Sequence, residues 1–269
     1  MQLCVPVTDI FKRNREKLLP LVGAVSFKEP SSEVYEGKEH MLECSLNIVA
    51  PNFETTLEET GLADALRSGH FSSFACDLGP AWQDFNANGR SPNNYPRYLP
   101  GIYPISEEYY IEAAQQNVRI LRSIFHGKIK VENLNYFPTG AYELVCEAEF
   151  ISRIVRGLGI ELLLDMGHTA VSIQNLGVSH EKFLDQLPLD TVTEIQISGS
   201  RWINGVFEDA HELPSKRDME LLAKVVGMSP VEYITLEYYK DDEPLVEAYE
   251  KLYKNLADSS VTEMDSRQS

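Results

Sequence analysis

The stretch LLLDMGHTAVSIQN, residues 162–175, is apolar through Leu164, turns acidic at Asp165 and places His168 three residues later. A short apolar run of this kind reads as a buried strand, here 160–167. A carboxylate at its tip is costly to bury unless something pairs with it. Where the strand goes and what meets Asp165 are therefore one question.

Working outward, short β-like runs recur at 21–27, 40–49, 70–78, 128–135, 192–199, 205–211 and 231–239. Amphipathic stretches near 54–67, 106–125, 143–157, 179–187, 215–226 and 242–255 predict helices between most of them. Ser106 stands as an N-cap ahead of acidic residues. Eight strands alternating with helices over about 250 residues have the dimensions of an α/β (β/α)8 TIM barrel. An open doubly wound sheet is the alternative, but neither GxGxxG nor GxxxxGK[ST] occurs. The reading is one barrel domain over 1–256, followed by a disordered tail at 257–269. The segment 79–105, rich in Pro, Asn, Gly and aromatics, is long enough to be a lid or a substrate-contact loop, the alternative being a segment that only seals one end of the barrel.

Composition excludes several classes. A formal charge of −17 over 269 residues argues against a nucleic-acid surface, which needs Lys and Arg against phosphates. No apolar run approaches the roughly 18 residues of a membrane helix. The N-terminus lacks the order of a signal peptide, which leaves the cytoplasm as the default location. Cys4, Cys44, Cys76 and Cys146 show no CxxC spacing and read as reduced core thiols. No GxSxG elbow is present.

In a barrel of this kind the reactive groups sit at the C-terminal strand ends. Those ends carry Asp77, Glu132, Asn133, Asn135, Asp165, His168, Glu194, Gln196, Asp209, His211 and Glu237, while His70 opens the run 70–78. Glu132, Asp165, Gln196 and Glu237 lie within or at the end of apolar runs, with His70, His168 and His211 nearby. Such a pocket is strongly negative, and a divalent metal relieves it. Mixed carboxylate and imidazole donors suit Mn, Fe, Zn or Co. Asp209 and His211 also fit an acid/base pair, and Asn135 and Tyr136 fit residues that orient ligands or substrate. His40, His126 and His180 read as surface or structural histidines.

The ordered series KIKVENLNYF, CEAEFISRIVRGLGIELLLDMGHTAVSIQNLG, VTEIQISG, EDAHELP and YITLEYY resembles the multinuclear non-haem iron-dependent oxidases, long known only as a domain of unknown function. RSGHFSSFACDL and RYLPGIYPISEEYYIEAAQQN are similar to that family's first histidine segment and its Leu-Pro-x-Pro-Tyr loop. The likeness covers roughly residues 40–240. It implies a xylose-isomerase-like TIM barrel with two or three iron ions at its mouth. It also implies O2-dependent oxidation of residues, often cysteine, in a ribosomally made precursor peptide presented by a partner protein.

Carried onto this chain, the implied metal ligands are His70, Glu132, Asp165, Gln196, Asp209, His211 and Glu237, with Asp209, His211 and His168 in catalytic roles. Two positions depart from the family pattern. Gln196 stands where a histidine is usual, and Gly167 and His168 replace asparagine-like residues, so His168 is expected to supply the missing imidazole. The segment DMGH also looks like the Asp-x-Gly-His of sugar isomerases and epimerases, which use one Mn, Zn or Co ion. That single-metal isomerase is the alternative function, and a degenerate barrel acting as a binding scaffold is a third.

Overall fold

Leu162, Leu163 and Leu164 are fully buried, and they form the centre of a strand in a closed sheet. The computed structural model describes residues 1–81, 105–138 and 141–266, with side chains through 256. The strands are β1 (Gln2–Pro6), β2 (Ala24–Phe27), β3 (Glu39–Asn47), β4 (Ser73–Asp77), β5 (Lys128–Glu132), β6 (Glu161–Asp165), β7 (Val192–Ile197), β8 (Gly199–Ile203), β9 (Val206–Glu212) and β10 (Tyr233–Leu236). Eight of them close a parallel barrel in the order β1-β10-β7-β6-β5-β4-β3-β2, and β8 pairs with β9 in a separate antiparallel hairpin.

The helices are α1 (Asp9–Leu18), α2 (Phe53–Glu59), α3 (Leu62–Arg67), α4 (Glu107–Ile124), α5 (Ala148–Leu158), α6 (Met166–Leu176), α7 (His180–Gln186), α8 (Lys216–Val226) and α9 (Asp242–Ser266). None of the described helices is long and apolar enough to cross a membrane. Ser106 caps α4 by accepting from Tyr109 N. The single helix expected over 54–67 is broken by Gly61, whose φ of +73° suits glycine. The lid expectation for 79–105 falls mainly on 82–104, outside the described residues. The expected tail at 257–269 lies outside the described side chains.

Seven of the eight expected strands are barrel strands, and one is not. The run 205–211 belongs to β9, the return strand of the hairpin inserted between β7 and α8. The true first strand is β1, whose five residues QLCVP are too short and too close to a proline to stand out.

Inside the barrel, residues two apart on a strand share a face. Lys130 and Glu194 meet at 2.7 Å although β6 lies between their strands, so both point inward. Two residues further along each strand come Glu132 and Gln196. Leu163 is likewise followed by Asp165, and Thr235 by Glu237. The alternation thus delivers a ring of polar side chains to the C-terminal mouth.

Candidate metal centre

Asp165 ends β6 and is the N-cap of α6, a helix not among those the sequence predicts. Its Oδ1 accepts from His168 N at 2.6 Å. Asn133 clamps its backbone from both sides: Asp165 N donates to Asn133 Oδ1 at 2.8 Å, and Asn133 Nδ2 donates to Asp165 O at 3.0 Å. The polar end of the opening stretch also has a role. Ser172 Oγ accepts from Tyr136 N, and Asn175 Nδ2 donates to Tyr136 O, so α6 fixes the loop after β5.

This capping turn aims His168 at Glu132. Nδ1 lies 3.0 Å from Glu132 Oε1 and 2.8 Å from the Asn133 carbonyl oxygen. A carbonyl only accepts, so in the neutral ring Nδ1 carries the proton and Nε2 keeps its lone pair. Donor atoms of Glu132, Asp165 and His168 all lie within 4.8 Å of one another. An imidazole that donates one N–H to a backbone oxygen is the usual arrangement for a metal-ligating histidine.

The hairpin adds two groups from above. Ser198 Oγ and His211 N donate to Asp209 Oδ1 at 2.6 and 3.1 Å. His168 Nε2 is 3.9 Å from Asp209 Oδ2. His211 Nε2 lies 3.5 Å from Asp209 Oδ2 and 3.4 Å from Glu237 Oε2. His211 has a φ of +45°, a strained conformation for a non-glycine residue, and the hairpin base holds it there.

The electrostatics are those of a site short of cations. Burial, with Asp209, Glu237 and Glu132 nearby, pushes the Asp165 carboxyl up to about 8 against the pull of His168. Burial opposes charge on His168, but Asp165 and Glu132 outweigh it and raise the imidazole well above its usual value. Burial also raises Asp77 well above the ordinary carboxylate range, with Glu132 and Glu43 adding to it. Asp165 Oδ2, Asp209 Oδ2, Gln196 Oε1 and Asn135 Oδ1 are buried and accept no hydrogen bond. Orphaned acceptors of this density fit a divalent cation, which would satisfy them directly.

The other half of the mouth contains residues that sequence reasoning missed. Lys28, one residue past β2, donates to Glu43 Oε1 at 2.5 Å and Glu237 Oε1 at 2.7 Å. Gln196 Nε2 donates to Glu43 Oε2 at 2.5 Å, and Tyr239 OH donates to Glu237 Oε1 at 2.5 Å. Burial would raise Glu237, but Lys28, His211 and Tyr239 hold it far below the carboxylate range. Glu43 escaped notice because it sits mid-strand, at a bulge between Glu43 and Asn47 that lets β3 reach the mouth.

His70 is a correction. It precedes β4, whose four rises of about 3.3 Å separate its start from the mouth by about 13 Å. There it stacks on His40 at 4.5 Å, and its Nε2 lies 3.1 Å from Glu33 O. A histidine that opens a parallel strand points to the barrel's base. The structure brings together Glu132, Asp165, His168, Gln196, Asp209, His211 and Glu237 but not His70. The four cysteines are free, and burial raises the thiols of Cys4, Cys44, Cys76 and Cys146, so none is primed as a nucleophile.

Gly167 allows the hairpin to approach α6. A Cβ there would lie 2.2 Å from Ser198 Oγ and 3.0 Å from Asp209 Cγ. Gly167→Ala is therefore expected to displace Asp209 and weaken metal binding by roughly 10–100-fold, with an unchanged circular dichroism spectrum. Unaltered metal affinity in calorimetry would exclude Asp209 from the centre.

A family model described as "RiPP precursor modification enzyme MbnB/TglH/ChrH" matches residues 94–257, more than half of the chain. Among curated proteins, a UPF0276 protein of Streptomyces avermitilis is 26% identical over 123 residues, covering 45% of this chain and 25% of its own. A UPF0276 protein of Caulobacter vibrioides is 25% identical over 154 residues, covering 57% and 50%. The chain thus spans a quarter to a half of the length of these relatives. Among solved structures, a D-tagatose 3-epimerase-like protein superimposes with a TM-score of 0.60 at 14% identity, covering 97% of this chain and 100% of its own. A putative xylose isomerase of Rhodospirillum rubrum gives 0.58 at 13%, covering 94% and 97%. These structural likenesses establish a xylose-isomerase-like TIM barrel. With the family match over 94–257, the chain belongs to the RiPP precursor modification enzymes of the MbnB/TglH/ChrH family.

Proposed function

We propose that this protein is a non-haem iron oxidase that uses O2 to modify residues, cysteine foremost, of a ribosomally made precursor peptide. The observation that carries the metal is the cluster of Glu132, Asp165 and His168 beneath Asp209, with the buried Oδ2 atoms of Asp165 and Asp209 accepting no hydrogen bond. The peptide substrate and the choice of iron rest on the family. Mixed carboxylate and imidazole donors agree with iron, and equally with Mn, Zn or Co. The acidic chain suits a peptide, or a presenting partner protein, that carries basic residues.

Iron bound here supplies one-electron chemistry with oxygen. The chain's own residues do the rest. Asn133 fixes Asp165, and the Asn133 carbonyl orients His168. His211, partly exposed between Asp209 and Glu237, stands where it can hold or pass a proton at Nε2. The buried carboxylates of Glu132, Asp165 and Glu237 would hold a multiply charged cation in place.

One observation favours the single-metal isomerase reading: among the described residues, one donor cluster meets ligand spacing. Anaerobically purified protein loaded with Fe(II), mixed with a cysteine-bearing precursor peptide and exposed to oxygen, separates the two. Oxygen uptake matched by a change in peptide mass supports the oxidase. No change in peptide mass, together with Mn-dependent ketose epimerisation, contradicts it.

A further inference from the structure

The two halves of the mouth differ in what faces their carboxylates. On the Asp165 side, Asp165 Oδ2 and Asp209 Oδ2 are buried without a hydrogen bond. On the opposite side, each carboxylate oxygen of Glu43 and Glu237 faces a donor within the chain, although Gln196 Oε1 there is also buried without a hydrogen bond. Glu43 Oε1 accepts from Lys28, and Glu43 Oε2 from the Gln196 amide. Glu237 Oε1 accepts from both Lys28 and Tyr239, and Glu237 Oε2 faces His211 Nε2 at 3.4 Å. Lys28 Nζ lies between the carboxylates of Glu43 on β3 and Glu237 just past β10, at 2.5 and 2.7 Å. An ammonium is a compact point charge with three donors, and it occupies the space a cation would need.

We propose that Lys28 is a built-in cation that fills the Glu43–Glu237 half of the mouth, so that this chain binds one divalent ion, on the Glu132–Asp165–His168 side, and not two or three. Gln196 belongs to the same device. A neutral histidine there would carry a lone pair able to bind a metal beside Glu43, whereas the glutamine amide donates to Glu43 through Nε2 and leaves its Oε1 without a hydrogen bond. The proposal rests on the reading of the mouth as a metal centre and concerns the number of ions that centre accepts. The family resemblance implied two or three.

The test is metal stoichiometry, read without activity. The wild-type chain, Lys28→Met and Gln196→His are each loaded anaerobically with Fe(II) and, separately, with Mn(II). They are then desalted and analysed for ions per chain by plasma mass spectrometry. The expected values are one ion for the wild type, two for Lys28→Met and one for Gln196→His, because Lys28 still fills the space in the last. Two or more ions in the wild type overturns the proposal and leaves the metal centre standing. One ion in folded Lys28→Met also overturns it. If Lys28→Met does not fold, Gln196→His decides: uptake of two ions there shows that the missing imidazole, and not Lys28, sets the limit. No ion in the wild type overturns the metal centre itself, and the proposal with it.

Discussion

Asp165→Asn is expected to lower metal affinity by at least about 100-fold and to abolish peptide modification, while the metal-free protein melts no lower than the wild type. Replacing groups that merely orient ligands costs about 10–100-fold, and Asp165 is placed as a ligand itself. The asparagine keeps the shape and can still cap α6 by accepting from His168 N, so the helix is retained. What disappears is a fully buried carboxylate whose pKa burial has pushed up to about 8. The native state therefore binds a proton that the unfolded chain, with a carboxyl near about 4, releases. Stability of the metal-free wild type falls as pH rises from about 4 through about 8, and the raised His168 adds a loss of the same sign at higher pH. An entering ion must displace these protons, so wild-type metal affinity climbs with pH across the same range. Thermal melts and calorimetry at pH 6 and 8 check both halves. Wild-type metal affinity in Asp165→Asn would remove Asp165 from the centre.

The second large effect lies one layer below the mouth. Lys130 and Glu194 are each 2% exposed and pair at 2.7 Å, with Thr235 Oγ1 donating to Glu194 Oε1 at 3.2 Å. Lys130→Met strands the Glu194 charge inside the barrel and is expected to cost about 3–5 kcal/mol of stability. In a chain of this size that lowers the melting temperature by on the order of 10 °C. The double variant Lys130→Met/Glu194→Leu removes both charges and should recover most of the loss. Denaturant titration of the single and double variants measures the coupling. Equal destabilisation of the two would mean that packing, not the stranded charge, sets the cost.

Much of this was legible because barrel strands have a direction. Leu162–Leu164 could only be a buried strand, and in a parallel barrel its last residue, Asp165, is obliged to sit at the mouth. The same logic located Glu132, Gln196 and Glu237. It failed at His70, which opens its strand and so faces the base. The hairpin was misread because GVFEDAH has strand composition. Its signal was the dipeptide Asn204–Gly205, whose φ values of +50° and +83° suit a tight antiparallel turn. Helix α6 hid behind the strand, although Asp165 three residues before His168 is an N-cap spacing. Lys28 and Glu43 were invisible for a deeper reason: their partners, Glu237 and Gln196, lie 209 and 153 residues away along the chain.

The most direct test of the metal centre is anomalous diffraction at the iron edge from crystals grown anaerobically with Fe(II). The expected result is a peak within coordination distance of Glu132, Asp165 and His168, with Asp209 Oδ2 turned toward it. A map with no peak there, or with iron bound only elsewhere on the chain, would contradict the assignment of this mouth as the protein's metal centre.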